Sequence, residues 1–406
     1  MHSSYRKGEN IYANLLPIIF AMPFLKILFD LLVGNYKLVT MISYPVVLVA
    51  LVIINGGRMI KLRRETLIYI AYLITISFFS IVIGTGTFVQ IFSSTLRFLT
   101  LAFSLNYVVK QESSWEYSKQ VANCSLIYFL ITVIASMIQL FPNNYLSNVL
   151  TTMGGNMISS TSLMNTRVNG AIGGTVIGYA VFIVLNSFVF ILGEHLYSKK
   201  QKVIYLFGIV ISMFLNYSRA CFLGVAIALG GYFFLLYYPK LSMKYKILAV
   251  ILLIGLICWY IFTDNTMIRY MFEVDQYRKV SNSKRIEDSI LGLKQMDSFS
   301  KMIFGVSVGK NTGFSESGKV LGDGAIISYI LDYGILGLVC CITFFVKTWK
   351  KIKCRLENKL KKRVIDIVFV DLILMLVINS GFFENMNIMF FSYPIYLGVS
   401  QSTKNK

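Results

Sequence analysis

An all-α polytopic membrane protein, with about twelve transmembrane helices and one long extracytoplasmic loop, is the fold class this sequence predicts, and three observations predict it. Hydrophobic residues make up 56% of the 406, and mean hydropathy is +0.67, above the roughly half apolar content of soluble domains. Apolar runs of about 17 to 25 residues, each long enough for ~30 Å of hydrocarbon, recur from residue 11 almost to the C-terminus. The segments between those runs alternate between lysine-rich and nearly uncharged.

In order, the expected spans lie near 11–33, 38–55, 66–84, 87–109, 122–141, 168–193, 203–217, 220–238, 247–263, 324–346, 364–382 and 388–400. The first, "IYANLLPIIFAMPFLKILFDLLV", is too long for a signal-peptide core and lacks a small-residue cleavage pattern, so it is read as a retained helix. The chain 1–406 is expected to form a single integral membrane domain. Six cysteines are scattered without a CxxC pair, so disulfides are not expected. With His2 and His195 the only histidines, a His-based zinc site or a Ser-His-Asp triad lacks its raw material.

Sidedness follows from charge. "GGRMIKLRRE" holds four basic residues, "YSKKQK" three, "PKLSMKYK" three and "KTWKKIKCRLENKLKKR" nine, whereas "GNYK", "GTGT" and "FENM" share one lysine. The positive-inside rule places both termini in the cytoplasm. A net charge of +20 distributed this way fits anionic inner-leaflet lipid and not nucleic acid.

Two outward segments are long. "PNNYLSNVLTTMGGNMISSTSLMNTR" is uncharged until Arg167, and 264–323 carries nine basic and eight acidic residues. Within the latter, Ile286, Ile290 and Leu293 recur at i, i+4 and i+7, the pattern of a short amphipathic helix at the membrane surface. No inverted repeat is evident.

Charges at bilayer depth need a partner, water or a task. Lys26 and Asp30 lie four apart and can neutralise each other on one helix face. Arg97 has no acid in its own span, leaving Asp332, Asp366 and Asp371 as possible partners in a structural pair or a functional site. Arg167 opens "RVNGAIGGTVIGY" at the outer mouth of a span, where a snorkelling arginine followed by packing glycines is the plain alternative. In "LNYSRACFLG" two spans meet with almost no loop. A turn there requires polar residues such as Asn216 and Ser218, but not Arg219. Arginine supplies a planar, permanently charged fork suited to phosphate. With Arg269, Arg278 and Arg285 of the long loop, the outer face gathers a set of arginines able to hold a lipid pyrophosphate. Glu273 and Asp275 in "FEVDQ" have an ExD spacing that some metal-dependent transferases use, but flanking arginines favour a solvated loop face.

The order of these features resembles the Wzy-type polysaccharide polymerases and the related O-antigen ligases. It runs as many spans, "RVNG" after a polar outer loop, "NYSRA" between adjacent spans, a long outer loop, then "GDGAIISYILDYGILGL". The resemblance is one of pattern and covers most of the chain. It implies a metal-independent, membrane-embedded C-type glycosyltransferase without a cofactor, in a bacterial cytoplasmic membrane. Such an enzyme moves a growing glycan from its polyprenyl pyrophosphate to a hydroxyl of the next lipid-linked unit, with a chain-length regulator as a possible partner. Residue by residue, Arg219 and Arg285 match pyrophosphate-binding positions and Arg167 a helper. Asp323 stands where the ligase branch usually has histidine, which weakens the ligase reading. The arginines would neutralise charge on the departing pyrophosphate, and Asp323 would take the acceptor's proton or cap the following helix. A ligase acting on a lipid A core and a transporter or flippase of lipid-linked sugars are the alternatives.

Overall fold

The computed structural model describes residues 45, 46, 48, 49, 62–110, 115–139, 176–216, 218–240, 242–244, 287, 289–309, 325–356, 359–378 and 385–399. Of these, 91% are helical and none forms a strand. The helices are α1 (Arg64–Ile83), α2 (Phe88–Lys110), α3 (Trp115–Gln139), α4 (Val176–Gly193), α5 (Lys199–Asn216), α6 (Arg219–Val225), α7 (Gly231–Tyr237), α8 (Phe299–Phe304), α9 (Ala325–Arg355), α10 (Lys359–Ile378) and α11 (Asn385–Val399). A π-helical turn, Ala226–Gly230, joins α6 to α7 in one rod.

Among the described residues, six helical segments are long and apolar enough to cross a membrane: α1, α2, α3, α4, the α6–α7 rod and α9. The helices α5, α10 and α11 fall where spans were expected but outside that length and composition class. The expected spans 11–33 and 247–263, and most of 38–55, lie outside the described residues, as do Lys26 and Asp30. Two boundaries move most: α3 begins seven residues before the expected 122, and α9 runs nine past the expected 346. Both extensions carry charged side chains on helical turns that reach beyond an apolar span, which hydropathy alone leaves out.

Position in the bundle follows from sidedness of apolarity. The sequence of α4, "VIGYAVFIVLNSFVFILG", is apolar all round, and its described side chains are almost all buried, packed against α11, α5 and α6. By contrast, α1 leaves Phe78, Val82 and Ile83 more than 60% exposed, and α5 does the same with Val203 and Phe207. An apolar surface of this extent is a liability in water and is solvated by lipid.

Many hydroxyl and amide groups inside the bundle are bonded, because the interior offers no water to replace a missing partner. Thr95, Thr100 and Ser136 bond carbonyls one turn back at 2.6, 2.7 and 2.8 Å. Between helices, Ser136 donates to Tyr179 at 2.8 Å, and Tyr205 to Asn186 Oδ1 at 2.8 Å.

Basic residues collect where the start of α1, the ends of α2 and α4, the start of α5 and the α9–α10 connection converge. The buried Arg63 clamps that end: its guanidinium donates to Thr348 at 2.8 Å and Asn106 at 3.1 Å and lies 3.4 Å from Glu65. Burial lowers its proton affinity, and the Glu65 carboxylate partly restores it. Nearby, Lys353 pairs with Asp366 and Lys202 with Glu194, both at 2.6 Å, and Arg355 bonds the Val109 carbonyl.

Candidate functional site

The connection in "LNYSRACFLG" is as tight as the sequence implies. Helix α5 ends at Asn216, and Ser218 is the N-cap of α6, in extended conformation with φ −98° and ψ 127°. Its carbonyl accepts from the Phe222 N–H at 3.0 Å, which starts the new helix. The Ser218 hydroxyl makes no capping bond and is half-buried, while Asn216 is fully buried. Arg219 is therefore the first residue of α6, at the end of the bundle opposite the basic clusters, the same end at which α9 begins. Arg167, Arg269, Arg278, Arg285 and Asp323 lie outside the described residues, as do Ile286, Glu273 and Asp275. Ala325, the start of α9, comes two residues after Asp323. In the expected amphipathic segment, 289–294 is helical, with Ile290 and Leu293 exposed.

A second constellation forms at that end, and sequence reading did not find it. Helix α9 is broken at Gly334, whose φ of 70° and ψ of −180° belong to a region that only glycine occupies readily. Against the break lies 303–309, "IFGVSVG", a segment assigned from sequence to the outward loop. The Val306 N–H donates to the Leu331 carbonyl at 2.7 Å, the Gly309 N–H to Asp332 Oδ2 at 3.1 Å, and Tyr72 to the Tyr333 carbonyl at 2.5 Å. Ser307, Val308 and Gly309 are buried, and Ser307 donates to the Thr85 carbonyl in the α1–α2 turn at 2.7 Å. Three glycines with left-handed φ make this approach possible. A Cβ on Gly305 would collide with the Asp332 carbonyl, one on Gly309 with the Gln90 carbonyl, and one on Gly334 with the Ile303 carbonyl. The sequence signal was an apolar, glycine-spaced heptad inside a polar loop.

Arg97 finds its setting here. It is 4% exposed and donates to Ser93 at 3.3 Å, one turn earlier in α2. Of the three carboxylates considered for it, Asp366 is held by Lys353, and Asp371 lies on α10, which packs against α6 and α7. Asp332, fully buried, shares with Arg97 electrostatic reach of Tyr333, whose hydroxyl meets Ser94 at 2.8 Å. The floor is aromatic and rigid: Tyr329 stacks on Tyr333 with centroids 4.7 Å apart, and Phe98 meets both edge-on. A cation, a carboxylate and backbone at a helix break together can orient a polar or anionic group within an apolar bundle.

What these features define is a class: a protein whose described residues are mostly helical, with six helical segments long and apolar enough to cross a membrane. No protein-family pattern matches the chain, and no curated protein is similar to it in sequence.

Proposed function

We propose that the chain polymerises polyprenyl-pyrophosphate-linked oligosaccharide repeat units at the outer face of a bacterial cytoplasmic membrane, with both of its termini cytoplasmic. The growing glycan passes from its lipid pyrophosphate to a hydroxyl of the incoming lipid-linked unit. The observation that carries this reading is the place of Arg219, which opens α6 after a minimal connection, at the end of the bundle away from the lysine-rich helix ends of α5, α9 and α10. An arginine as the first residue of a helix brings a positive charge to a segment whose end already carries partial positive charge, a combination that favours phosphate.

In this reading Arg219 and Arg285 take up charge on the departing pyrophosphate, with Arg167, Arg269 and Arg278 as further ligands and Asn216 and Ser218 shaping the hairpin. Asp323, just ahead of α9, receives the acceptor's proton. The reaction is a substitution at an anomeric carbon that already bears a good leaving group, so positioned arginines suffice for charge stabilisation. Membrane lipid and the lipid-linked glycan are the partners, together with a chain-length regulator protein.

The test is chain growth by purified, reconstituted protein supplied with lipid-linked repeat units. Wild type is expected to lengthen the glycan. Arg219→Ala and Arg285→Ala are each expected to abolish growth while membrane expression persists. Normal chain-length distribution in either variant removes that arginine from the mechanism. Supplying a lipid A core as sole acceptor separates the ligase alternative.

A specific observation favours a second reading, a transporter of the same lipid-linked sugars: α9 is discontinuous beside buried Arg97 and Asp332. Movement of substrate across proteoliposomes without glycan growth would establish it.

A further inference from the structure

Helix α10 carries a carboxylate that none of the above uses. Asp371 is fully buried, and neither of its oxygens has a hydrogen-bond partner among the described residues. It lies in the middle of an apolar stretch, "VIDIVFVDLILMLVI".

Its place relative to α6 and α7 can be read from two glycine contacts. A Cβ on Gly224 would come 2.6 Å from the Met375 side chain, and one on Gly231 would come 3.0 Å from that of Ile367. Met375 and Ile367 sit one helical turn either side of Asp371, on the same face of α10. The two rods run antiparallel, so the residue midway between Met375 and Ile367 faces the residues midway between Gly224 and Gly231. Those residues are the π-helical turn Ala226–Gly230, whose Ala228 is fully buried. A π turn interrupts the regular i to i+4 ladder and leaves backbone carbonyl capacity that a regular helix does not.

Among the described residues, the titratable groups on the surrounding elements either have other partners or lie toward the ends of their helices. On α4 the only titratable side chain is Tyr179, bonded to Ser136 and Ser212. On the α6–α7 rod, Arg219 and Cys221 lie near one end, and Tyr232, bonded to Glu194, and Tyr237 lie near the other. On α9, Asp332 accepts from Gly309 and Lys353 is held by Asp366, itself on α10. Cys340 and Cys341 face Tyr72 and Tyr69 of α1. The remaining bases of α9 and α10 lie in the last turns of α9 and the first of α10. Among the described residues, no charged group is paired with the Asp371 carboxyl.

We propose that Asp371, set against the carbonyls of the Ala226–Gly230 π turn, is an intramembrane binding site for a small monovalent cation, a proton or a sodium ion. With no counter-charge among the described residues, an ionised carboxylate buried in an apolar bundle is too costly, so occupancy by a positive ion accompanies the folded state. The π turn supplies the neutral oxygen ligands that a bare carboxylate lacks. This assignment is independent of the transferase reading and holds for either proposed chemistry.

The full-length protein in lipid nanodiscs is treated with dicyclohexylcarbodiimide, an apolar reagent that modifies protonated membrane carboxyls, and the adduct is located by peptide mass spectrometry. Labelling of Asp371 is expected to fall about tenfold per pH unit once the proton leaves. Protection by sodium at constant ionic strength, choline being the replacement, identifies the metal ion as occupant; indifference to sodium identifies the proton. No labelling of Asp371 from mildly acidic to mildly alkaline pH, with or without sodium, overturns the proposal. So does labelling that is equal under all conditions. As a second readout, the sodium or pH dependence of the melting temperature is expected to be smaller in Asp371→Asn than in wild type, and a dependence equal to wild type there also overturns the assignment. Neither readout depends on glycan growth.

Discussion

The glycine interlock at the break in α9 can be taken apart by alanine, because three glycines separate the two penalties involved. At Gly334, with φ 70° and ψ −180°, an added Cβ would strike the Ile303 carbonyl and stand 2.6 Å from the Gly305 nitrogen. The conformation costs about 1–3 kcal/mol for an L side chain. Forcing the contact adds about 1–3 kcal/mol more, because backbone cannot swing aside as a side-chain tip can. The sum, about 2–6 kcal/mol, is a large fraction of the roughly 5–15 kcal/mol that holds a domain folded. Gly84 has φ 72° but nothing within 4 Å of its Cβ position, so alanine there meets only the left-handed penalty of about 1–2 kcal/mol. Gly230 has neither the φ nor a neighbour, and alanine is expected to be neutral or to stabilise by up to about 1 kcal/mol. Thermal unfolding of detergent-solubilised protein, followed by tryptophan emission, should therefore rank Gly334→Ala far below Gly84→Ala and Gly84→Ala below Gly230→Ala. If Gly334→Ala melts with Gly84→Ala or above it, the 303–309 segment does not seat on the break and the interlock is refuted.

Other perturbations have equally definite outcomes. Arg63→Ala leaves Asn106 and Thr348 without their donor and Glu65 with Lys351 at 3.6 Å as its remaining cation, and is expected to cost about 1–3 kcal/mol in the same melting assay. Lys cannot substitute, because the contacts use separate arms of the guanidinium fork. Asp366→Asn, by contrast, breaks a pair whose side chains are each more than a third exposed, and a loss under about 1 kcal/mol is expected, smaller still in high salt. Asp332→Ala orphans the Gly309 N–H at a cost of about 1–3 kcal/mol, and hydrogen exchange should rise at 306–309 before it rises in α9. Asp332→Asn keeps an acceptor oxygen and should retain wild-type exchange.

Membrane character, the helical class and the approximate course of most described spans were legible in the sequence because each is a local property. Twenty apolar residues in a row have one stable form in hydrocarbon, and lysines mark where a run stops. The hairpin at Ser218 was legible for the same reason: two spans with no loop between them force polar turn residues. Asp323 and four of the five outer arginines lie outside the described residues, and their clustering is proposed from order along the chain.

The sequence could not show that "IFGVSVG" leaves the loop and enters the bundle, because a short apolar segment reads alike on a surface and in a groove. Nor could it choose among Asp332, Asp366 and Asp371. All three carboxylates are equivalent by composition, and only packing sets them apart: one at the broken helix within Arg97's neighbourhood, one paired with Lys353, one buried against a π turn. Period and hydropathy report how each helix partitions between water and lipid. Which face meets which neighbour is decided by contacts between residues hundreds of positions apart, such as Arg63 with Thr348 or Ser94 with Tyr333, and these exist only in the folded protein.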